Sequence, residues 1–159
     1  MAKVPENPCS ITRSMGVLGE RWTILILRDA FDGLTRFDDF RQSLGVAPDV
    51  LSARLATLVE HGVLEKVEYR EQGERRRYAY ALTDAGRELL PVLMALQEWG
   101  DKHLPWPAGP SVLRRDASGG PVHVGLIDDH GREIASDDLS CVRTDAYPAA
   151  RIELLERHG

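Results

Sequence analysis

TRFDDFRQSLGVAPDVLSARLATLVEHG, Thr35 to Gly62, reads as two amphipathic helices joined by a short turn. Phe37, Phe40 and Leu44 fall at i, i+3 and i+7, which places them on one helical face, and Thr35 is the expected N-cap. Gly45 then ends the helix. The next helix is expected to start near Pro48, because proline suits a first turn whose N–H has no partner, and to run to His61 before Gly62. Its Leu51, Leu55 and Leu58 repeat at i, i+4 and i+7 and form a buried stripe. The other face carries Asp49, Ser52, Ala53, Ala56 and Glu60, small or polar side chains that let a helix sit deep in a groove. A helix packed by aromatics followed by one that is small and polar outside is the helix-turn-helix pattern.

The flanks extend it. Upstream, a first helix is expected within Ser10 to Leu18, and RWTILILRDAF (21–31) reads as a central core helix with near all-round burial. Downstream, LEKVEYREQGERRRYAYALT (64–83) alternates apolar and polar residues on either side of Gln72-Gly73-Glu74, which is a β-hairpin. Thr83 caps a long helix, DAGRELLPVLMALQEWGDKHL. Leu89, Leu93 and Leu96 lie on one stripe that Val92 and Trp99 widen, and Pro91 is expected to kink it. That apolar face is broader than one small domain needs, which suits a dimer contact.

WPAGPS, 106–111, concentrates proline and glycine. The domain reading is therefore 9–104 for DNA binding and dimerisation, 105–111 as linker, and 112–159 as a small β-rich appendage. In the appendage VLRRD, PVHVGLID and REIAS read as short strands with turns at Ser118-Gly119-Gly120 and Asp129-His130-Gly131. The fold class is mainly α with a β-hairpin wing, a winged helix-turn-helix, plus a small antiparallel β C-terminal appendage.

The 159 residues, 43% apolar and 28% charged, fit an ordinary globular chain. Apolar runs such as Ile24–Leu27 fall far short of the ~20 residues of a membrane span. MAKVPENPCS lacks the features of a secretory signal, and two cysteines fit a reducing compartment, so a cytoplasmic protein without membrane association is expected. The five histidines lack metal-ligand spacing, and no nucleophile has an evident partner. No enzyme activity, cofactor or metal is expected. The net charge of −5 argues against a nonspecific nucleic-acid coat, but a specific binder needs only a local basic surface.

Cys9, GERWTILILRDAFDG, TRFDDFRQSL, LSARLATLVEHGVLEK, the hairpin and YALTDAGRELLPVL, taken in this order and spacing, resemble the HxlR-type, MarR-like winged-helix regulators over roughly residues 9–104. The resemblance implies a homodimer on double-stranded DNA, with recognition helices in major grooves, wings over backbone or minor groove, and a nearly palindromic operator. It implies a transcription regulator, a repressor by occlusion of a promoter, with activation equally compatible. A winged helix used only for protein interaction is the alternative, which the acidic net charge and Asp49 would permit.

In that context Arg70, Arg75, Arg76 and Arg77, which flank the wing turn with Glu71 and Glu74 diluting them, are candidates to grip phosphates. Arg36, at the start of its helix, meets a phosphate or pairs with Asp38 or Asp39. Ser52 and Ala53 face base edges, and Arg54, on the flank, makes a phosphate contact or an internal ion pair. Asp49 is counted with these DNA-binding residues, though it departs from the family, whose members often open this helix with a polar cap and a basic residue, and its carboxylate would repel phosphate. Cys9 stands where many relatives carry a cysteine, which in some senses oxidants or electrophiles; Arg13 is the expected source of a lowered pKa, and a buried, inert thiol is the other reading. Some relatives have metal-binding-like turns in a similar tail, whereas the comparable turns here hold Arg114, Ala117, Ser118 and Asp128. The appendage is read as structural, with a small-molecule effector pocket as its functional alternative.

Overall fold

The computed structural model describes residues 4–69 and 77–157. Four helices open the chain: α1 (Ser10–Leu18), α2 (Arg21–Phe31), α3 (Phe37–Leu44) and α4 (Pro48–Glu60). An antiparallel hairpin follows, β1 (Leu64–Tyr69) with β2 (Arg77–Leu82), in a register that opposes Leu64 to Leu82 and Tyr69 to Arg77. Then come α5 (Asp84–Arg87), α6 (Leu90–His103), the short antiparallel pair β3 (Leu126–Ile127) and β4 (Glu133–Ile134), and α7 (Ala149–Glu156).

The expected leucine stripe of α4 is the centre of the core. Leu51, Leu55 and Leu58 are fully buried, together with Ile26 and Leu27 of α2 and Phe40 of α3. Each such side chain contributes about 1.5–3 kcal/mol on leaving water. α2 packs on α1, α3, α4 and β2, as its central place in the sequence suggests.

Chain reversals are set by backbone chemistry. At the end of α4 the Val63 N–H reaches Leu58 O at 2.9 Å and the Gly62 N–H reaches Val59 O at 3.1 Å, with Gly62 at φ +66°. These two bonds satisfy carbonyls that the helix end leaves open, and the left-handed residue between them, costless only for glycine, launches β1 directly off α4.

Thr35 is not the cap of α3. Arg36 occupies the N-cap position, and the Thr35 carbonyl accepts the Tyr80 N–H at 2.8 Å while Arg36 bridges Ala79. The segment before α3 is thus pinned to β2, which competes for the backbone that a threonine cap would need.

The long helix expected after Thr83 is two helices. Thr83 does cap, its Oγ1 accepting the Gly86 N–H at 3.0 Å, but α5 stops at Arg87 and the last turn tightens through Leu89 N–H to Gly86 O at 3.1 Å. Pro91, lacking an N–H, cannot bond the Arg87 carbonyl and its ring crowds it, so the helix restarts rather than bends. The strand expected at VLRRD is a single bridge between Arg115 and Pro121, and α7 follows the last strand.

By compactness the chain divides into Met1–Leu90 with Ala146–Gly159, and Pro91–Asp145. The proline- and glycine-rich run at 105–111 therefore lies inside the second unit. The physical reason is that α6 holds the segment C-terminal to it: Gln97 Nε2 donates to Val112 O at 2.7 Å, and Glu98 Oε1 accepts the Val124 N–H at 3.1 Å.

Candidate nucleic-acid interface

α3 ends at Gly45, at φ +60°, and after a two-residue turn Pro48 opens α4 at a first-turn position. Ala47 supplies no side-chain cap, but its carbonyl accepts the Leu51 N–H at 3.0 Å. With no capping oxygen at Ala47, a carboxylate in the first turn is favourable against the helix dipole, which gives Asp49 a local structural role beside any at the DNA.

The outer face of α4 is as the sequence implies. Asp49, Ser52, Ala53, Ala56 and Glu60 are all exposed, opposite the buried leucines. Arg54 is not part of that face: it is half-buried and pairs with Glu20 at 3.4 Å, the internal ion pair of the two readings its sequence position leaves open. It ties the recognition helix to the corner between α1 and α2.

Arg36 is brought to the hairpin rather than to Asp38 or Asp39. Its guanidinium lies 5.0 Å from the centroid of the Tyr69 ring. Asp38 instead faces Arg41 at 4.0 Å, a weak surface contact. On the hairpin Lys66, a cation overlooked in the sequence, lies 5.8 Å from the Tyr78 ring, and Arg77 is exposed at the start of β2. The alternation of β1 could have flagged Lys66, since it is the only cation described on that strand. Arg70, Arg75 and Arg76 lie outside the described residues. Tyr80 is half-buried, and burial pushes its phenol above the ordinary range, so it remains a neutral group of the hairpin's inner side.

Cys9 sits at the N-cap of α1 and is half-buried. Its thiol is held below the ordinary value, chiefly by the Thr12 hydroxyl and then by the Thr12 backbone, with smaller help from Ile11 and the charge of Arg151. Arg13 is not the source that the sequence suggests. Its guanidinium is spent on the Asn7 and Pro8 carbonyls at 2.6 and 2.8 Å and on Ser10 Oγ at 3.0 Å.

Among the described residues no group of histidines, cysteines and acids is placed to hold a metal, and no helix is long and apolar enough to cross a membrane. Asp116 and Asp128 each close a turn by accepting backbone N–H groups, from Ser118 and Gly120 in one and from His130 and Arg132 in the other. Both carboxyls are held below the usual carboxylate range, Asp116 chiefly by the Ser118 hydroxyl and then by the Gly120 and Ser118 N–H groups, Asp128 chiefly by the Arg132 N–H and then by its guanidinium.

The profile of the HxlR-like helix-turn-helix family matches residues 17–107. An HTH-type transcriptional regulator of Mycobacterium tuberculosis, Rv3095, is 41% identical over 133 residues, 82% of this chain and 83% of its own. Among solved structures, PA1607, described as a candidate transcription factor, matches with TM-score 0.72 and 40% identity over 86% of this chain and 95% of that one. The oxidised form of the redox regulator HypR matches with TM-score 0.54 and 26% identity over 60% of this chain and 97% of that one. The family and these relatives are regulators rather than enzymes. The recognition-type helix, the hairpin wing and these matches together make the chain a member of the HxlR-like helix-turn-helix family, a transcriptional regulator of the helix-turn-helix type.

Proposed function

We propose that the protein is a cytoplasmic, sequence-specific DNA-binding repressor that acts as a homodimer on a palindromic operator. The observation that carries the reading is the outer face of α4: Ser52, Ala53 and Ala56 are exposed and small, on a helix whose opposite stripe, Leu51, Leu55 and Leu58, is fully buried. Such a helix enters a major groove without steric obstruction, Ser52 bonding a base edge and Ala53 meeting a thymine methyl. Arg36 and Arg77, with Arg70, Arg75 and Arg76 of the wing turn, supply phosphate contacts that fix register. Asp49 remains near the helix start, where it discriminates against a phosphate rather than binding one. Arg54 acts indirectly, holding α4 in place.

The dimer is supported by one face of α6. Val92, Leu96 and Trp99 recur at i, i+4 and i+7, and all three are exposed, Trp99 at 58%. An isologous contact through this stripe would join two copies of the chain, and helix-turn-helix dimers read half-sites about one helical turn of DNA apart. Cys9, with its lowered thiol pKa, is the proposed redox-responsive position.

Selection of fragmented genomic DNA by the purified protein tests the reading. Enrichment of fragments with a shared palindrome, protected at two sites about one helical turn apart, is the expected result. A folded dimer that enriches no fragment would move the assignment to a protein-interaction module.

A further inference from the structure

The unit Pro91–Asp145 carries a pocket open to solvent on one side, with a volume of about 450 Å³, within the size range of small-molecule sites. One wall is a single face of α6: Met94, Gln97, Glu98, Asp101 and Lys102 recur at i, i+3, i+4, i+7 and i+8. This is the side of the helix opposite Val92, Leu96 and Trp99, so the cavity does not compete with the apolar stripe. The facing wall is the segment around the Arg115–Pro121 bridge, which contributes Leu113 and Val122 and is tied back to the helix through Gln97 and Glu98.

The polar groups in the cavity are unevenly satisfied. Both acids have donors: Glu98 Oε1 accepts from the Val124 N–H and faces His123 Nδ1 at 3.4 Å, and Asp101 Oδ2 faces Gln97 Nε2 at 3.5 Å. Arg115 Nη1 donates to Gly119 O at 2.7 Å. Arg114 and Lys102 are different. Neither has an ion-pair partner among the described residues, and the Arg114 Nε–H is covered by protein with no acceptor. The backbone beneath it is fixed by the bond from Val122 N–H to Arg114 O at 3.1 Å, and no carboxylate among the described residues pairs with the side chain. A cation kept half-buried without its counter-charge is a group whose partner comes from elsewhere.

We propose that this cavity binds a small amphipathic carboxylate, an aliphatic or aryl acid. Its apolar body lies against Met94, Leu113 and Val122, and its carboxylate is received by Arg114 with Lys102 beside it. The planar guanidinium fork matches a carboxylate, and the apolar walls favour an acid with a hydrocarbon body over a small inorganic anion.

Isothermal titration calorimetry of the full chain, without DNA, tests this independently of the proposed operator binding. The probes are the straight-chain acids from hexanoate to dodecanoate and 2-naphthoate, each paired with its neutral amide. Saturable binding of at least one acid is expected, with its amide weaker by about tenfold or more, the cost of one charge-assisted contact. Arg114→Met should lose about the same factor and Lys102→Met less, while both keep the wild-type circular dichroism. Val122→Phe, which adds bulk to the apolar wall and leaves both cations in the sequence, should also weaken binding. No binding by any acid, equal binding of acid and amide, or undiminished binding by a folded Arg114→Met would each overturn the proposal.

Discussion

The guanidinium of Arg36, at the N-terminal end of α3, lies 5.0 Å from the centroid of the Tyr69 ring on β1. With the Tyr80 N–H on the Thr35 carbonyl at 2.8 Å, this contact couples the first helix of the helix-turn-helix to the wing. A cation over an aromatic face is attracted by the ring, by about 0.5–1 kcal/mol at an exposed site.

Replacing either partner should therefore act on DNA binding through different routes. Arg36→Ala removes a phosphate contact, so its log-log salt slope should fall by about one. Tyr69→Leu keeps the charge and should weaken binding with the slope unchanged. Equal slopes for Arg36→Ala and wild type would remove Arg36 from the interface.

The junction of wing and α5 is tight. Thr83 Oγ1 donates to Gly62 O at 2.5 Å and accepts the Gly86 N–H, and a Cβ on Gly86 would stand 2.1 Å from Val63 O. Thr83→Val should cost about 1–2 kcal/mol through the missing cap, and Gly86→Ala about 1–3 kcal/mol through forced displacement of backbone. Urea unfolding followed by circular dichroism reads both, and a Gly86→Ala protein as stable as wild type would contradict the packing described.

Charge on the α6 stripe should separate protomers. Leu96→Glu and Trp99→Glu each place a carboxylate in the proposed dimer contact, where burying it unpaired is strongly unfavourable. Sedimentation velocity should show monomer for both while Ser52→Ala remains dimeric. A Trp99→Glu dimer of unchanged affinity would place the interface elsewhere.

The Cys9 thiol should ionise below the ordinary cysteine range because Thr12 stabilises its thiolate. In a Cys141→Ser background, the pH profile of iodoacetamide alkylation should lie to the acid side of a model thiol, and Thr12→Val should shift it upward. Since the folded thiol ionises at lower pH than the unfolded one, the stability it adds is present above the unfolded value. That stability is lost as pH falls through the folded value. A profile unmoved by Thr12→Val would remove that hydroxyl as the cause.

The helices are legible where one periodic face meets one core. Leu51, Leu55 and Leu58 give α4 its bounds within a residue, and the glycines after α3 and α4 mark their ends. What the sequence hides depends on partners distant in the chain. Thr35 has a hydroxyl that suits a cap, yet its carbonyl is taken by Tyr80, 45 positions further on. Arg13 is near enough in sequence to be the charge beside Cys9, but its reach ends on the carbonyls of Asn7 and Pro8. The alternation in VLRRD suggests a strand, but Val112 bonds through its carbonyl to a helix side chain instead of a neighbouring strand. Arg54 is the exception, a flank position whose ion pair is one of the two outcomes its place on the helix allows. In the cavity, Arg114 and Lys102 are 12 positions apart, and no local pattern links them.

The most direct test of the central claim is a salt titration on the best-enriched genomic fragment, comparing wild type with the Arg75, Arg76 and Arg77 triple alanine variant. The account predicts tight, sequence-selective wild-type binding and a log-log slope that falls by about one for each phosphate interaction the variant no longer makes. Binding without preference for that fragment over unrelated DNA, or a slope identical in the two proteins, would contradict it.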